Sequence, residues 1–306
     1  MAIETRILGR THANVTILGY GAMELRGEPR GPHVEDDHAG KVLNEVLDGG
    51  ITLIDTSPDY GNSEELIGRF VSHRRDEFFL ASKCGCPLTI PADAPAPYPH
   101  DYSPANVRAA VERSLSRLRT DRLDLVQVHM SPSVEQLREN QTVETLQALQ
   151  AEGKIRFLGM SGILPHLPGQ IALGVFDAFQ IPYSAVQRDH EDLIDDAVKA
   201  GAGTLIRGGA ARGATSEEKN WTTGPLSQPA GVGKDNWEKA GLDDLLAGSG
   251  LSRHEFTLRF TLSHPGLSTT IVGTSNLAHL KSNLEIAAKG PLPADVYEEA
   301  KRRLPR

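Results

Sequence analysis

The chain is poor in cysteine: Cys84 and Cys86 are the only two in 306 residues. Two positions apart and with no other partner along the chain, they are badly placed for a structural disulfide, which points to a reducing, cytoplasmic setting. With no further ligands beside them in the sequence they do not read as a metal site either, and ordinary free thiols are expected. No run of about 20 apolar residues occurs, so no membrane-crossing helix is expected. The opening MAIETRILGR lacks the basic-then-apolar pattern of a secretory signal. Basic residues are in deficit, with 32 Lys and Arg against 40 Asp and Glu and a net charge of −8. A general nucleic-acid binder needs the opposite balance to neutralise phosphates, although a local basic pocket for one phosphorylated ligand stays compatible with this charge.

What is present is ordinary soluble globular usage, 39% apolar and 24% charged. Short β-rich apolar runs lie near 16–20, 51–55, 77–82, 124–128, 155–160, 176–181, 203–206 and 269–273. Most are continuous rather than alternating, which suits strands buried on both faces of a parallel sheet.

Helix-period segments lie between them. Ser103-Pro104 supplies an N-cap with proline at the first helical position, followed by an apolar stripe of Val107, Ala110, Val111, Leu115 and Leu118. Segments 144–152 and 189–200 run into Gly153 and Gly201 as C-terminal glycines, and 276–288 and 294–303 read as further helices. Strand–helix repetition implies right-handed βαβ crossovers. Eight strands with no second core favour an α/β fold of the closed (β/α)8, or TIM barrel, kind in a single domain over 1–306.

Three segments break the rhythm. Residues 3–18 read as a hairpin placed to plug the barrel floor. Residues 84–102 are proline-rich and too long for a plain connection, and 208–234 are glycine-rich and irregular; long connections of this kind are usually functional or mobile. Tyr98, Tyr102, Trp221 and Trp237 in or near these segments either line a ligand mouth or pack. His33, Asp36, Asp37 and His38 suggest metal ligands at first sight, but an acidic first helical turn is the better reading.

In a parallel barrel, chemistry sits where strands end. Strand two ends at Asp55, with Tyr60 in the loop that follows; strand three ends at Lys83 and strand four at His129. A tyrosine has an ordinary pKa near 10, and a nearby ammonium lowers it. Lys83 is the ammonium available to Tyr60, Asp55 can hold Lys83 by a charge-assisted hydrogen bond, and His129 can orient a carbonyl oxygen. Each residue alone reads equally well as a turn cap, a solvated lysine or a structural histidine. Together, at consecutive strand ends, they fit protonation of a carbonyl oxygen while another group delivers a hydride.

The stretch GGITLIDTSPDYGNSEELIGRF (49–70) resembles the signature of the aldo-keto reductase superfamily around its catalytic aspartate and tyrosine. FLASKCG (79–85) resembles that family's lysine strand, SLSRLRTDRLDLVQVHM (114–130) the helix and strand leading to its histidine, and GKIRFLGMSG (153–162) the next strand. LRFTLSHPGLSTTIVGTSNLAHLKSNL (258–284) resembles its cofactor-binding tail, so the likeness runs collinearly over nearly the whole chain.

The resemblance implies a metal-free, NADP(H)-dependent oxidoreductase, with NAD(H) as second choice. It would act on a small-molecule carbonyl or alcohol substrate, as monomer or homo-oligomer, with no nucleic-acid or membrane partner. The implied catalytic set is Asp55, Tyr60, Lys83 and His129. The implied cofactor contacts are Gly21, Ala22 and Met23 with Asp55 beside the nicotinamide ribose, and Ser161, Gly162 and Gln180 at the carboxamide. Ile206, Arg207, Gly208, Gly209, Ala210 and Gly213 would lie under the pyrophosphate, and Gly273, Thr274, Ser275, His279 and Asn283 around the adenosine phosphate.

Three positions leave the family pattern. Gly162 stands where an asparagine is usual. Arg207 stands where an aromatic ring often stacks on the nicotinamide, and it either stacks in its place or pairs with a carboxylate or the cofactor phosphates. Between Gly273 and Asn283 only His279 and Lys281 are basic, with no arginine for a 2′-phosphate. Two other functions use the same residues: a lyase or aldolase with Lys83 as Schiff-base nucleophile, which leaves Asp55 and Tyr60 unexplained, and a cofactor-binding regulatory subunit that senses redox state and turns over slowly.

Overall fold

An antiparallel hairpin, β1 (Thr5–Ile7) and β2 (Asn14–Thr16), opens the chain, paired from Thr5 opposite Thr16 to Ile7 opposite Asn14. The structure is a computed structural model that describes residues 2–28, 31–89, 99–217, 219 and 232–305. Tyr98, Trp221, and part of both the proline-rich and the glycine-rich connections lie outside the described residues.

After the hairpin come eight strands: β3 (Leu18–Gly21), β4 (Leu53–Asp55), β5 (Phe79–Cys84), β6 (Leu123–Val128), β7 (Ile155–Ser161), β8 (Ala178–Pro182), β9 (Gly203–Arg207) and β10 (Thr269–Val272). They pair in parallel in chain order, and β10 closes on β3 to complete the barrel. These are the eight expected strands. The helices among the described residues are α1 (Asp36–Asp48), α2 (Ser63–Phe70), α3 (Pro104–Leu118), α4 (Val134–Glu139), α5 (Thr142–Ala151), α6 (Leu167–Ala172), α7 (Glu191–Lys199), α8 (Val232–Lys239), α9 (Leu242–Leu246), α10 (Arg253–Leu262), α11 (Leu277–Ala288) and α12 (Ala294–Arg303).

Local chemistry accounts for several boundaries. Ser103 Oγ accepts from the Asn106 amide with Pro104 at the first turn of α3, as expected. Asn276 caps α11 by accepting from Ala278 and His279. Gly153 and Gly201 take φ of +75° and +78° just past α5 and α7, where a side chain would be strained. Asp36 and Asp37 fall in the first turn of α1, which supports their reading as helix-end acids.

The strands bury both faces. Outward residues such as Ile54, Leu80, Val126, Leu158, Phe179 and Ile206 pack under the helices in one extended core. Inward residues Leu53, Phe79, Ala81, Leu125, Ala178 and Leu205 form a second core inside the barrel, joined by Leu8 and Val15 of the hairpin. The hairpin therefore caps the floor. The approach is close enough that a Cβ on Gly9 would meet the Gly203 backbone nitrogen at 2.0 Å. Full burial of Leu8 and Val15 contributes about 1.5–3 kcal/mol each.

Trp237 packs rather than lining a mouth. It is 1% exposed, meets the Phe256 ring edge-on at 5.6 Å and donates Nε1–H to Asp243 at 3.0 Å.

Candidate active site

Two residues beyond the apolar inner layer, the same strand faces turn polar. By the strand period of two, Asp55 follows Leu53, Lys83 follows Ala81, Gln127 follows Leu125, Gln180 follows Ala178 and Arg207 follows Leu205. The apolar layer below seals these groups from the barrel floor. The polar layer above is held by neighbouring register, with Lys83 opposite Gln127.

Lys83 Nζ donates to Asp55 Oδ2 and to the Thr56 carbonyl, both at 2.8 Å. The other Asp55 oxygen accepts from Gln127 Nε2 at 2.7 Å and Gln180 Nε2 at 2.9 Å. A fully satisfied buried ion pair of this kind is held rigidly. The Lys83 ammonium lies 4.8 Å from the centre of the Tyr60 ring. Burial works against the Lys83 charge, but Asp55 and Tyr60 more than offset it, and its pKa stands above the ordinary value. For Tyr60, burial raises the pKa, Lys83 pulls it down, and Asp55 and Asp59 push it up again; the net lies above the ordinary value. The ammonium alone, which is all that the sequence shows, would lower the value. Desolvation is the larger effect here, and Tyr60 stays a protonated phenol at neutral pH.

His129 follows β6 directly. Its backbone amide donates to the Cys84 carbonyl at 3.0 Å and its carbonyl accepts from the Tyr102 hydroxyl at 2.8 Å, so Tyr102 is a support for the histidine. Burial first, then the Lys83, His100 and Arg207 charges, depress the His129 pKa, with Asp59 opposing them. The ring is thus neutral near pH 7.

A cleft of about 680 Å³ opens beside Tyr60 and Asp55. It gathers, from the expected cofactor positions, Gly21 at the end of β3 and Met23 just after it, Gly208, Gly209, Ala210 and Gly213 after β9, and Gly273, Thr274, Ser275, His279 and Asn283 at β10 and α11. Gly208 takes φ of +73° and no described residue lies within 4 Å of where its Cβ would be, so among the described residues the backbone there stands open to a ligand. Ala22 and Ile206 turn their side chains into the core. Ser161 and Gln180 sit deeper, with Ser161 Oγ 3.4 Å from Gln180 Oε1, beside Asp55.

Several lining residues were not singled out from the sequence. Arg26, Arg212 and Lys219 bring to the cleft cations that the arginine-free 273–283 segment does not, and His254 adds an imidazole. His254 Nε2 lies 2.9 Å from Asn283 Oδ1. Their positions in two separate connections and a helix give no local signal. Gln127 was missed although a signal existed: a polar residue at the inward position of an otherwise apolar strand end.

Arg207 has no carboxylate within ion-pair distance among the described residues, and its buried Nε has no hydrogen-bond partner. Among the described residues, nothing supports the reading in which it pairs with a protein carboxylate. Burial lowers its pKa, with Tyr60 and Asp55 opposing the shift.

The whole chain can now be compared with known proteins. Residues 17–303 match the model of the aldo/keto reductase family. The chain belongs to that family. The aldo/keto reductase is 27% identical over 294 residues to the uncharacterized oxidoreductase YqkF of Bacillus subtilis, covering 92% of this chain and 90% of that one. It is 28% identical over 297 residues to L-galactose dehydrogenase of Arabidopsis thaliana, covering 92% and 87%. The solved structure of the aldo-keto reductase AKR11C1 from Bacillus halodurans in its holo form superposes with a TM-score of 0.83 at 26% identity, over 99% of this chain and 97% of that one.

In this aldo/keto reductase the unusual Gly162 has a steric cause. A Cβ there would lie 2.6 Å from Gln170 Oε1 and 2.7 Å from Leu167 Cδ1 on α6. Gln170 is held in place by the Pro132 carbonyl at 2.7 Å and Ser131 Oγ at 3.2 Å. No helix among the described residues is long and apolar enough to cross a membrane, and both cysteines are free and buried.

Proposed function

We propose that this protein is an NADP(H)-dependent oxidoreductase that reversibly reduces an aldehyde or ketone to an alcohol, with Tyr60 as general acid. The observation that carries the reading is the Lys83 ammonium, fixed by Asp55 at 2.8 Å and placed 4.8 Å from the Tyr60 ring, beside a cleft of about 680 Å³. The cleft fits a dinucleotide: open backbone at Gly208, an Asn276-capped helix end at α11, cations from Arg212 and Lys219, and the imidazoles of His254 and His279. Those cations favour the phosphorylated cofactor, with NAD(H) second.

Bound there, the nicotinamide supplies or accepts the hydride. The Tyr60 hydroxyl donates its proton to the carbonyl oxygen as negative charge develops on it. Lys83 stabilises the resulting phenolate, and Asp55 keeps Lys83 charged and in place. His129, a neutral ring at the mouth, orients the oxygen by donating an N–H. Ser161 and Gln180 are assigned to the carboxamide, Gly21, Met23 and Asp55 to the nicotinamide ribose, Gly208, Gly209, Ala210 and Gly213 to the pyrophosphate, and Gly273, Thr274, Ser275, His279 and Asn283 to the adenosine end.

A Schiff-base role for Lys83 is disfavoured, because an ion-paired, fully buried ammonium is a poor nucleophile. The test is loss of NADPH absorbance across a panel of carbonyl substrates, with NADH in parallel. Tight NADPH binding without turnover on any substrate would instead favour a redox-sensing subunit.

A further inference from the structure

Cys86 was expected to lack co-ligands, and along the sequence it does. In the fold three other donors surround it. Asp59 comes from the loop after β4, Cys86 from just past β5, His100 from the returning arm of the long connection, and His129 from the end of β6. Each offers one donor atom, and the four atoms lie within 4.8 Å of one another. Cys86 Sγ and His100 Nε2 are both 3.3 Å from His129 Nδ1, and Asp59 Oδ2 is 3.8 Å from it.

We propose that these four residues form a divalent metal site, with Zn²⁺ the best-matched ion. A tetrahedral centre with Zn–N near 2.0–2.1 Å and Zn–S near 2.3 Å separates its ligands by roughly 3.3–3.6 Å. The Cys86–His129 and His100–His129 distances are close to that spacing, and with every separation within 4.8 Å the donors would draw in to close around the ion. The donor set of one thiolate, two imidazoles and one carboxylate is borderline-soft, suits zinc, and brings two negative charges to balance the cation.

A plain hydrogen-bond cluster accounts for the arrangement less well. A neutral imidazole Nδ1 is either one donor or one acceptor, so a hydrogen bond on it serves only one of the two groups at 3.3 Å, Cys86 Sγ and His100 Nε2, whereas a metal would engage both.

The surroundings hold the donors in place. The Ser57 hydroxyl donates to Asp59 Oδ1, leaving Oδ2 to face His129, and lies 3.7 Å from Cys86 Sγ. The Asn106 side chain donates to the Cys86 carbonyl at 3.1 Å and to the Asp101 carbonyl, and the Asp101 amide donates to the Gly85 carbonyl at 2.9 Å. The His100 arm is therefore tied to Cys86 on both sides. Four protein ligands make a closed centre, so the site is structural: it staples the long connection to the barrel mouth. Binding releases the Cys86 thiol proton to solvent. On the oxidoreductase reading, metal on Nδ1 also places the His129 hydrogen on Nε2, where it can be donated to a substrate oxygen.

The test reads metal directly and does not depend on any redox activity. The full chain is stripped with a chelator, then titrated with Zn²⁺ against a chromophoric competitor, and separately with Co²⁺. The expected result is one ion per chain and, with Co²⁺, a near-ultraviolet sulfur-to-metal charge-transfer band. Cys86→Ser should abolish that band, and both it and His100→Ala should weaken Zn²⁺ binding by more than about 100-fold, beyond what loss of a supporting partner costs. Cys84→Ser should leave stoichiometry and band unchanged. His100 is partly exposed on its loop, so its variant serves if Cys86→Ser fails to fold. Absence of stoichiometric metal in the parent protein, or parental affinity in a folded His100→Ala, overturns the assignment. Either result leaves the NADPH assay unaffected, so the two readings fail separately.

Discussion

The Lys83 ammonium and the Asp55 carboxylate meet at 2.8 Å with side-chain exposures of 0% and 2%. Removing one partner strands the other charge without water. Lys83→Met should therefore cost about 3–5 kcal/mol of stability by urea denaturation, as well as losing turnover. Replacing the lysine with no loss of stability would show that the pair is not buried as described.

Tyr60→Phe keeps the ring beside Lys83 and removes only the proton donor. Turnover should fall by about 10²–10⁴-fold, the usual worth of a positioned acid. NADPH binding, followed by fluorescence quenching, should stay close to the parent. Full activity in this variant would refute the assignment of Tyr60 as acid.

Asparagine at position 162 has no room, since its Cβ alone would lie 2.6 Å from Gln170 Oε1. Gly162→Asn should destabilise by about 1–3 kcal/mol through overpacking against α6. Thermal melting of this variant beside Gly162→Asn/Gln170→Ala checks the cause, because the second change should recover part of the loss.

Arg207 carries its charge with Nε buried and unpartnered among the described residues. In the absence of cofactor, Arg207→Met should raise stability by about 1 kcal/mol, the low end of the cost of an unsatisfied buried donor. Affinity for NADPH should fall in the same variant, measured by titration. A drop in stability would mean that the guanidinium has a partner after all.

His190 and His264 hold neutral rings whose nitrogens accept backbone N–H groups, Leu164 N at 3.1 Å and Gly266 N at 3.0 Å. Burial depresses both pKa values below the ordinary 6.5. The unfolded chain then binds more protons than the folded one below that pH. Stability should be fully present above about pH 6.5 and decline as pH falls, with a slope of up to about 1.4 kcal/mol per pH unit for each group. Urea melts from pH 8 to 5 should show the decline, and His264→Phe should flatten it.

Much of the architecture was legible because periodicity is local. The eight apolar runs, the Ser103-Pro104 start and the glycine stops at Gly153 and Gly201 each depend on a few adjacent residues, and all appear in the structure. The candidate tetrad was legible for a related reason, since parallel strands deliver their C-terminal residues to one rim. The cleft's Arg212, Lys219 and His254 were not, because they come from segments with no shared pattern.

By itself the sequence determined the strand order, the inward period of two, and hence that Asp55, Lys83 and His129 share a rim, all consequences of backbone geometry acting over a few residues. Only the tertiary structure decided what depends on distance and on exclusion of water. It made burial outweigh Lys83 at Tyr60, left Arg207 without a carboxylate among the described residues, filled the space above Gly162 with Gln170, and surrounded Cys86 with Asp59, His100 and His129. These are contacts between residues far apart in the chain, and pairwise electrostatics and packing have no sequence period from which to read them.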